Sequence, residues 1–292
     1  MMRKQSLKKA AALAISVMCM AGVFTGCGNN KSNNSSGDNA NTDAKLTGSI
    51  TAAGSSALKP LVDDAADLFN EKHPDVNITI DAGGSGEGLK QVAEGTVNIG
   101  NSDVEAAEKL DASKASQLVD HKVCVVTMAP IVNKDVTAGG VKNLTKQQLT
   151  DIFTGKITNW KEVGGDDEKI IPYQRPVNSG SQTGILSLVM KGKKLMNPVN
   201  NVIETMEGII KAVANYKDGK GSIGYSYYYY ATSMYDLTDT NKENSIKLMG
   251  VDGVIPSYET IKDDSYPIRT NYYIVLRKDE PEDSTARKFA ND

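Results

Sequence analysis

Four short stretches of this sequence place small hydroxyl and glycine residues where a strand gives way to a helix. GSSALKP (54–60) carries Ser55 and Ser56, GGSGEG (83–88) carries Ser85, and GNSDVEA (100–106) carries Ser102 and Asp103. RPVNSGSQTG (175–184) sets Arg175 ahead of Ser179, Gly180 and Ser181 and runs straight into the apolar ILSLVM. Loops of this composition expose backbone N–H groups, and a helix N-terminus carries roughly half a positive charge. The chemistry on offer is the holding of an anion. Taken singly, each stretch reads as an ordinary helix cap. GGSGEG lacks the GK[ST] ending of a P-loop, and its glycine spacing misses the dinucleotide fingerprint. Asp103 alone reads as a cap or surface carboxylate, and Arg175 alone as a salt-bridge partner. Four such loops in one chain, all after strands and with one arginine and one aspartate among them, point to a shared site beyond the carboxyl ends of a sheet.

The elements that must position these loops follow a strand, loop, helix pattern. LTGSITAAG (46–54) reads as a strand followed by the amphipathic helix LKPLVDDAADLFNEKH, and VNITIDAGG (76–84) repeats the theme with a helix around GLKQVAEG. VNIGNSD (97–103) gives a third strand and VCVVTMAPIV (123–132) a longer apolar run. NLTKQQLTDIFTG has a capping box, Thr145 with Gln148, and stops at Gly155. KIIPYQ follows as a strand, SQTGILSLVMKG and TMEGIIKAVANYKDG as helices, and GSIGYSYYYY as a strand of β-prone aromatics. The tyrosine run reads as packing or as a strand crossing between lobes, with a stacking platform as the alternative. IKLMGVDGVIPSYETI and YPIRTNYYIVLRKD are strand-and-turn material, and STARKFAND opens a helix that stops abruptly, so a further helix or two is expected beyond it. Strands alternating with helices predict an α/β protein with a largely parallel sheet covered on both faces.

The beginning of the chain reads as a targeting segment. Arg3, Lys4, Lys8 and Lys9 precede AALAISVMCMAGVF, a run too short to span a bilayer comfortably, and small residues follow. FTGC (24–27) resembles a bacterial lipobox, with Phe24 in place of the usual leucine. The expectation is a signal peptide over 1–26 and lipidation at Cys27, the alternative being an ordinary signal with an incidental cysteine. GNNKSNNSSGDNANTDAK (28–45) has no apolar periodicity and cannot bury a core, so 27–45 is expected to be a disordered tether reaching roughly 25 Å. Of the three cysteines, Cys19 lies in the leader and Cys124 sits in an apolar stretch as a buried, inert thiol. The mature body then has no disulfide and rests on its core alone.

Charge narrows the partners. The leader holds four basic and no acidic residues, so its removal takes the formal charge from −3 to about −7. That argues against nucleic acid, whose recognition rests on clustered basic residues. Only two histidines are present, His73 and His121. No Ser-His-Asp order, metal cluster or matched carboxylate pair is legible, so the chain reads as a non-enzyme without cofactor or metal.

The body resembles the phosphate-binding proteins of the bacterial phosphate ABC transporter, the PstS family. The resemblance is carried by GSSALKP, GGSGEGLKQVAEGTVNIGNSD, LTKQQLTDIFTGKITNW, RPVNSGSQT, GSIGY and VDGVIPSYETI…YPIR, in the family's order from about residue 49 to 278. It implies a two-lobed fold of the type II periplasmic-binding-protein kind, each lobe a mixed, mostly parallel sheet flanked by helices. The ligand cleft would lie between lobe 1 (46–127 and 226–292) and lobe 2 (128–225), with hinges near 124–131 and 224–230. It further implies phosphate ligands at Ser56 with the backbone N–H of Ala57, and at Ser85, Asp103, Arg175, Ser179, Gly180 and Ser181. The partners implied are inorganic phosphate, the permease of a phosphate ABC transporter and, through the lipid anchor, the extracytoplasmic face of the cell membrane, with the protein a monomer. Ser181 stands where threonine is usual. Val177 stands near where the family often has an acidic residue, which leaves Arg175 without its usual carboxylate partner.

Asp103 is the informative member of that set. A carboxylate facing an anion repels it by about 4 kcal/mol at about 4 Å with an effective dielectric of about 20. The cost is tolerable when the guest carries a proton for the carboxylate to accept, as phosphate does and sulfate does not. Such a difference corresponds to roughly a thousandfold in affinity, so Asp103 is expected to discriminate between the two. The same architecture holding sulfate or molybdate, and a surface lipoprotein with no transport role, are the competing readings.

Overall fold

The computed structural model describes residues 45–196, 201–214, 221–234 and 245–292. The expected leader over 1–26, Cys27 and nearly all of the tether lie outside the described residues, as does the end of the helix expected over 205–219. Among the described residues the strands are β1 (Gly48–Gly54), β2 (Val76–Ala82), β3 (Ile99–Ser102), β4 (Leu118–Asn133), β5 (Asn143–Leu144), β6 (Ile171–Pro172), β7 (Ser222–Tyr227), β8 (Ile246–Leu248), β9 (Gly250–Val251) and β10 (Arg269–Arg277). The helices are α1 (Lys59–Lys72), α2 (Ser85–Ala93), α3 (Ala112–Ala115), α4 (Lys134–Ala138), α5 (Lys146–Phe153), α6 (Gly180–Leu188), α7 (Met206–Ala214), α8 (Tyr258–Lys262) and α9 (Thr285–Asn291).

One sheet runs β2-β1-β3-β10-β4-β7-β6, with β8 also paired to β4. The long strand β4 joins its two halves. Residues 118–127 pair with β10, and residues 128–133 pair with β7 and β8. Because side chains alternate across a strand, β10 serves both faces of the first half. Ile274 and Leu276 join the larger core with Ile50, Val62, Phe69 and Phe289, while Tyr273 and Val275 meet Leu89 and Val92 of α2. Phe69 of α1 and Phe289 of α9 pack edge to face at 5.2 Å on the first of these faces. In the second half, β7 and the end of β4 are buried along their whole length. Leu149, Ile152 and Phe153 of α5 and Ile209, Ile210 and Val213 of α7 belong to the same core, Phe153 meeting Tyr225 of β7 edge to face at 5.7 Å.

The α/β architecture and the mixed sheet agree with expectation, but the sheet is less parallel than the sequence pattern predicts. Parallel pairing is confined to β1 with β2 and β3, β6 with β7, and β5 with β9. Every pairing of β4 with β10, β7 and β8, and that of β10 with β3, is antiparallel. A second difference concerns the division of the chain, which was expected to rejoin the first lobe at residue 226. Instead Ile246–Leu248 pairs with Ile131–Asn133 and Gly250–Val251 with Asn143–Leu144, so both segments join the second half. The apolar β8 lies against the part of β4 that β10 leaves uncovered. The return to the first half comes with β10. The aromatic run is also shorter as a strand than expected: β7 ends at Tyr227 and Tyr228–Met234 wind into a helical turn.

Local chemistry sets the helix starts. The capping box of α5 is present in both directions, Gln148 N–H donating to Thr145 Oγ1 at 3.0 Å and Thr145 N–H to Gln148 Oε1 at 2.8 Å. Helix α2 lies directly on β1 because Gly88 has no side chain: a Cβ there would sit 2.2 Å from the Ala53 carbonyl oxygen. Gly88→Ala is therefore expected to lift α2 and cost about 1–3 kcal/mol, and, since α2 carries Ser85, to weaken anion binding as well. Thermal melts and ligand titration of that variant check both.

Candidate functional site

The four loops singled out in the sequence converge. Helix α2 begins at Ser85 and α6 at Gly180, and the two N-termini meet: a Cβ on Gly180 would lie 2.4 Å from Ser85 Oγ and 2.8 Å from Asp103 Cβ. Ser179 is the N-cap of α6, its Oγ accepting from Gln182 N–H at 3.4 Å and sharing a 2.8 Å hydrogen bond with Ser181 Oγ. Ser85, Ser179 and Ser181 are all buried. Two helix N-termini at one point concentrate unpaired N–H groups and partial positive charge.

Asp103 follows β3 and is 3% exposed. Its backbone N–H donates to Ser85 Oγ at 3.1 Å, and its carbonyl accepts from Thr270 Oγ1 at 3.2 Å. Oδ2 accepts from the Tyr227 hydroxyl at 2.9 Å, whereas Oδ1 is buried with no hydrogen-bond partner. Burial raises this carboxyl above its ordinary range, opposed by the Ser55 and Tyr227 hydroxyls, the Arg175 charge and Ser85.

Arg175 is 2% exposed and held almost entirely by backbone. Its Nε donates to the Ile203 carbonyl at 2.9 Å, and one terminal nitrogen to the Glu204 carbonyl at 2.7 Å and to Ser56 Oγ at 3.3 Å. Its own N–H donates to the Tyr225 hydroxyl at 3.0 Å, and its carbonyl accepts from Gln182 Nε2. Val177, near where the resemblance implies an acidic residue, points outward with 80% of its surface exposed. Carbonyls do the orienting instead. Burial pulls the guanidinium below its ordinary value, with Tyr225 and Asp103 opposing.

The structure therefore brings Ser56, Ser85, Asp103, Arg175, Ser179, Gly180 and Ser181 to one place. Ala57 differs from expectation: its N–H donates to Ser55 Oγ at 3.1 Å, which also receives Leu58 N–H at 3.1 Å. Ser55, not its neighbour, anchors that turn, and Ser56 Oγ faces Arg175 and Met206 N–H. Residues outside the expected set join the two halves of the sheet across the site. Gly86 N–H donates to the Asn178 carbonyl at 2.9 Å and Asn178 Nδ2 to the Gly83 carbonyl at 3.0 Å. Lys109 Nζ donates to the Val177 carbonyl at 2.8 Å; burial lowers its ammonium, with Asp103 opposing. The Tyr-Ser-Tyr alternation over 225–227 was the available signal for Tyr225 and Tyr227, since residues two apart on a strand share a face. Cys124, on β4, is half-buried and burial raises its thiol, which suits an inert cysteine. Among the described residues no group of His, Cys, Asp and Glu could hold a metal ion.

A cluster of donors with one guanidinium and one buried acceptor oxygen suits a small protonated oxyanion. Comparison with known proteins agrees. Residues 39–291 match the family model of the PBP superfamily domain. The phosphate-binding protein PstS of Bacillus subtilis is 41% identical over 84% of this chain and 76% of its own. The chain belongs to the PstS family. Among solved structures, a phosphate ABC transporter substrate-binding protein of Clostridium perfringens, so described and containing bound phosphate, aligns with TM-score 0.70 and 27% identity over 84% of this chain and 92% of that one. An ABC-type phosphate transport receptor of Vibrio cholerae aligns with TM-score 0.64 and 25% identity over 83% and 93%.

The raised Asp103 carboxyl has a consequence for stability. A group whose folded-state pKa is raised stabilises the fold below its ordinary pKa, and that contribution is lost as pH rises through the folded-state value. Above the ordinary carboxylate range, burial of this group therefore weakens the ligand-free fold. Asp103→Asn is expected to raise the Tm of the ligand-free protein at neutral pH by about 2–4 °C per kcal/mol relieved, with the gain fading as pH falls toward the ordinary carboxylate range. Differential scanning calorimetry across pH decides it; a lower Tm at neutral pH rejects the account.

Proposed function

We propose that this chain captures inorganic phosphate outside the cytoplasm and hands it to the permease of a phosphate ABC transporter. The observation that carries the reading is the buried carboxylate of Asp103, one oxygen held by Tyr227 and the other without a partner, beside Arg175 and the joined N-termini of α2 and α6. Hydroxyls and backbone N–H groups satisfy anion oxygens without adding full charge, and Arg175 contributes a planar, charge-assisted fork. The partnerless Asp103 oxygen accepts a hydrogen bond from the P–O–H group that phosphate carries. Sulfate and molybdate offer none at neutral pH, so the carboxylate disfavours them.

Capture works by closure. Contacts come from both halves of the sheet, the Ser56 and Ser85 donors and the Asp103 acceptor from one and the Arg175, Ser179, Gly180 and Ser181 donors from the other. The ligand favours whichever arrangement engages them together. The bonds of Asn178 with Gly83 and Gly86, and of Lys109 with Val177, belong to the closed arrangement. The protein binds and releases its guest without chemical change, as a monomer. A signal peptide over 1–26 and lipidation at Cys27 would tether it to the cell membrane; none of the described helices is long and apolar enough to cross one.

Isothermal titration tests the reading. Phosphate is expected to bind with heat and sulfate to give none at matched concentration. Arg175→Ala is expected to weaken phosphate binding by about tenfold or more, the loss of hydrogen bonds to a charged group being about 1.5–3 kcal/mol each. Gly180→Ala is expected to do at least as much, because its methyl would enter Ser85 and Asp103. Equal affinity for sulfate, or unchanged phosphate affinity in Arg175→Ala, overturns the assignment.

A further inference from the structure

Packing alone does not account for Tyr227. It is the last residue of β7 and pairs with Met128, at the point where β4 passes from one half of the sheet to the other. Its ring is buried and lies edge to face on Tyr272 at 5.1 Å, so the direction of its hydroxyl is set by the core. That hydroxyl ends 2.9 Å from Asp103 Oδ2. Two residues earlier on the same strand, the Tyr225 hydroxyl accepts from Arg175 N–H at 3.0 Å. One strand thus sets a phenol on each of the two charged residues of the site.

Resting on the phosphate reading above, we propose that Tyr227 is a positioning residue that determines specificity: by occupying Asp103 Oδ2 as a donor, it keeps the carboxylate an acceptor toward the guest at Oδ1. A carboxylate can discriminate protonated from unprotonated anions only while it is itself ionised, since a protonated carboxyl donates as readily as it accepts. A phenol O–H aimed at Oδ2 excludes a proton from that oxygen and favours the charged form.

The groups facing Asp103 divide into two sets. The hydroxyls of Ser55 and Tyr227, then Arg175 from the loop before α6 and the Ser85 hydroxyl, favour its charge, and Lys109 from the segment after β3 lies near it. Burial opposes it, and the partnerless Tyr272 of β10 is the remaining titratable group nearby. The Tyr227 phenol stays protonated, because burial and the Asp103 charge both raise it. Without the hydroxyl, Asp103 takes up a proton at a higher pH than in the wild type. In that form it can donate to an oxyanion that carries no proton. Discrimination then erodes from the acidic side.

The test is titration of the full chain with phosphate and with sulfate from about pH 5 to about pH 8, for the wild type, Tyr227→Phe and Tyr272→Phe. Tyr227→Phe is expected to retain phosphate binding while its phosphate-to-sulfate affinity ratio falls about tenfold or more at the acidic end. The midpoint of that loss moves to higher pH. Tyr272→Phe is expected to follow the wild type. In an Asp103→Asn background, which has no carboxyl to titrate, Tyr227→Phe should leave the pH profile of the ratio unchanged. Should Tyr227→Phe fail to fold, 3-fluorotyrosine at position 227, a stronger donor of near-native shape, moves the midpoint to lower pH. A wild-type ratio across the whole range in Tyr227→Phe, or an unmoved midpoint with fluorotyrosine, overturns the role of Tyr227 while leaving phosphate binding standing. A wild-type protein that binds neither anion overturns the phosphate reading itself.

Discussion

A carboxylate shut away from water sets the terms for everything around it. Asp103 is 3% exposed, and an ion that has lost its hydration must be repaid by hydrogen bonds and opposite charge or else give up its charge. The surroundings repay it in part. Tyr227 donates to one oxygen, the Ser55 and Ser85 hydroxyls and the Arg175 charge also favour the ion, and the remaining oxygen has no partner. An acceptor left unsatisfied in a dry site is costly by itself and valuable only to a guest that brings a proton. The same feature that weakens the fold is the one on which the proposed preference for a protonated oxyanion rests.

Holding such an arrangement requires a scaffold that cannot yield. The carboxylate hangs from the end of β3, between β1 and β10, and its backbone is fixed at both ends by Ser85 and Thr270. Arg175 approaches from the other half of the sheet. The common member is β4, which runs unbroken through both halves and pairs antiparallel with β10 and then with β7. A strand shared in this way fixes Tyr227 on one half against Tyr272 on the other. The cross-site bonds of Asn178, Lys109 and Ser56 are few and near the surface, whereas the β4 ladder is continuous, so motion between the halves is expected to bend that strand and break those bonds.

Much of this was legible in the residues, for definable reasons. Helix starts announce themselves by type, so the capping box at Thr145 and the serine-led starts of α2 and α6 could be read directly. The convergence of the four loops followed from their common place after strands. What could not be read depends on partners distant in sequence. Antiparallel pairing of β10 with β4, and the allocation of β8 and β9 to the second half, are choices among apolar strands of similar composition. Ser55 and Ser56 are chemically identical, and only the turn decides that Ser55 takes the N–H groups of Ala57 and Leu58 while Ser56 faces Arg175. The tyrosines of β7 looked like packing because they are packing; their hydroxyl ends carry the second role.

The orientation of Arg175 shows the same limit at its strongest. The sequence sets Val177 near where the PstS resemblance implies an acidic residue, which reads as a missing partner. The missing partner turns out to be backbone, the carbonyls of Ile203 and Glu204, and a carbonyl oxygen has no signature in the residue that bears it. The substitution is not neutral in charge. A carboxylate beside the guanidinium would cancel most of its field at the guest, whereas two carbonyl dipoles fix its plane and leave its net charge intact. With Lys109 also near Asp103, both cations feel that buried carboxylate, and Glu108 and Glu204 add to it beside Lys109 and Arg175 respectively. Attraction for an anion is thereby strengthened without specificity, and under the proposed roles the burden of telling one oxyanion from another falls on Asp103 and the hydroxyl that holds it.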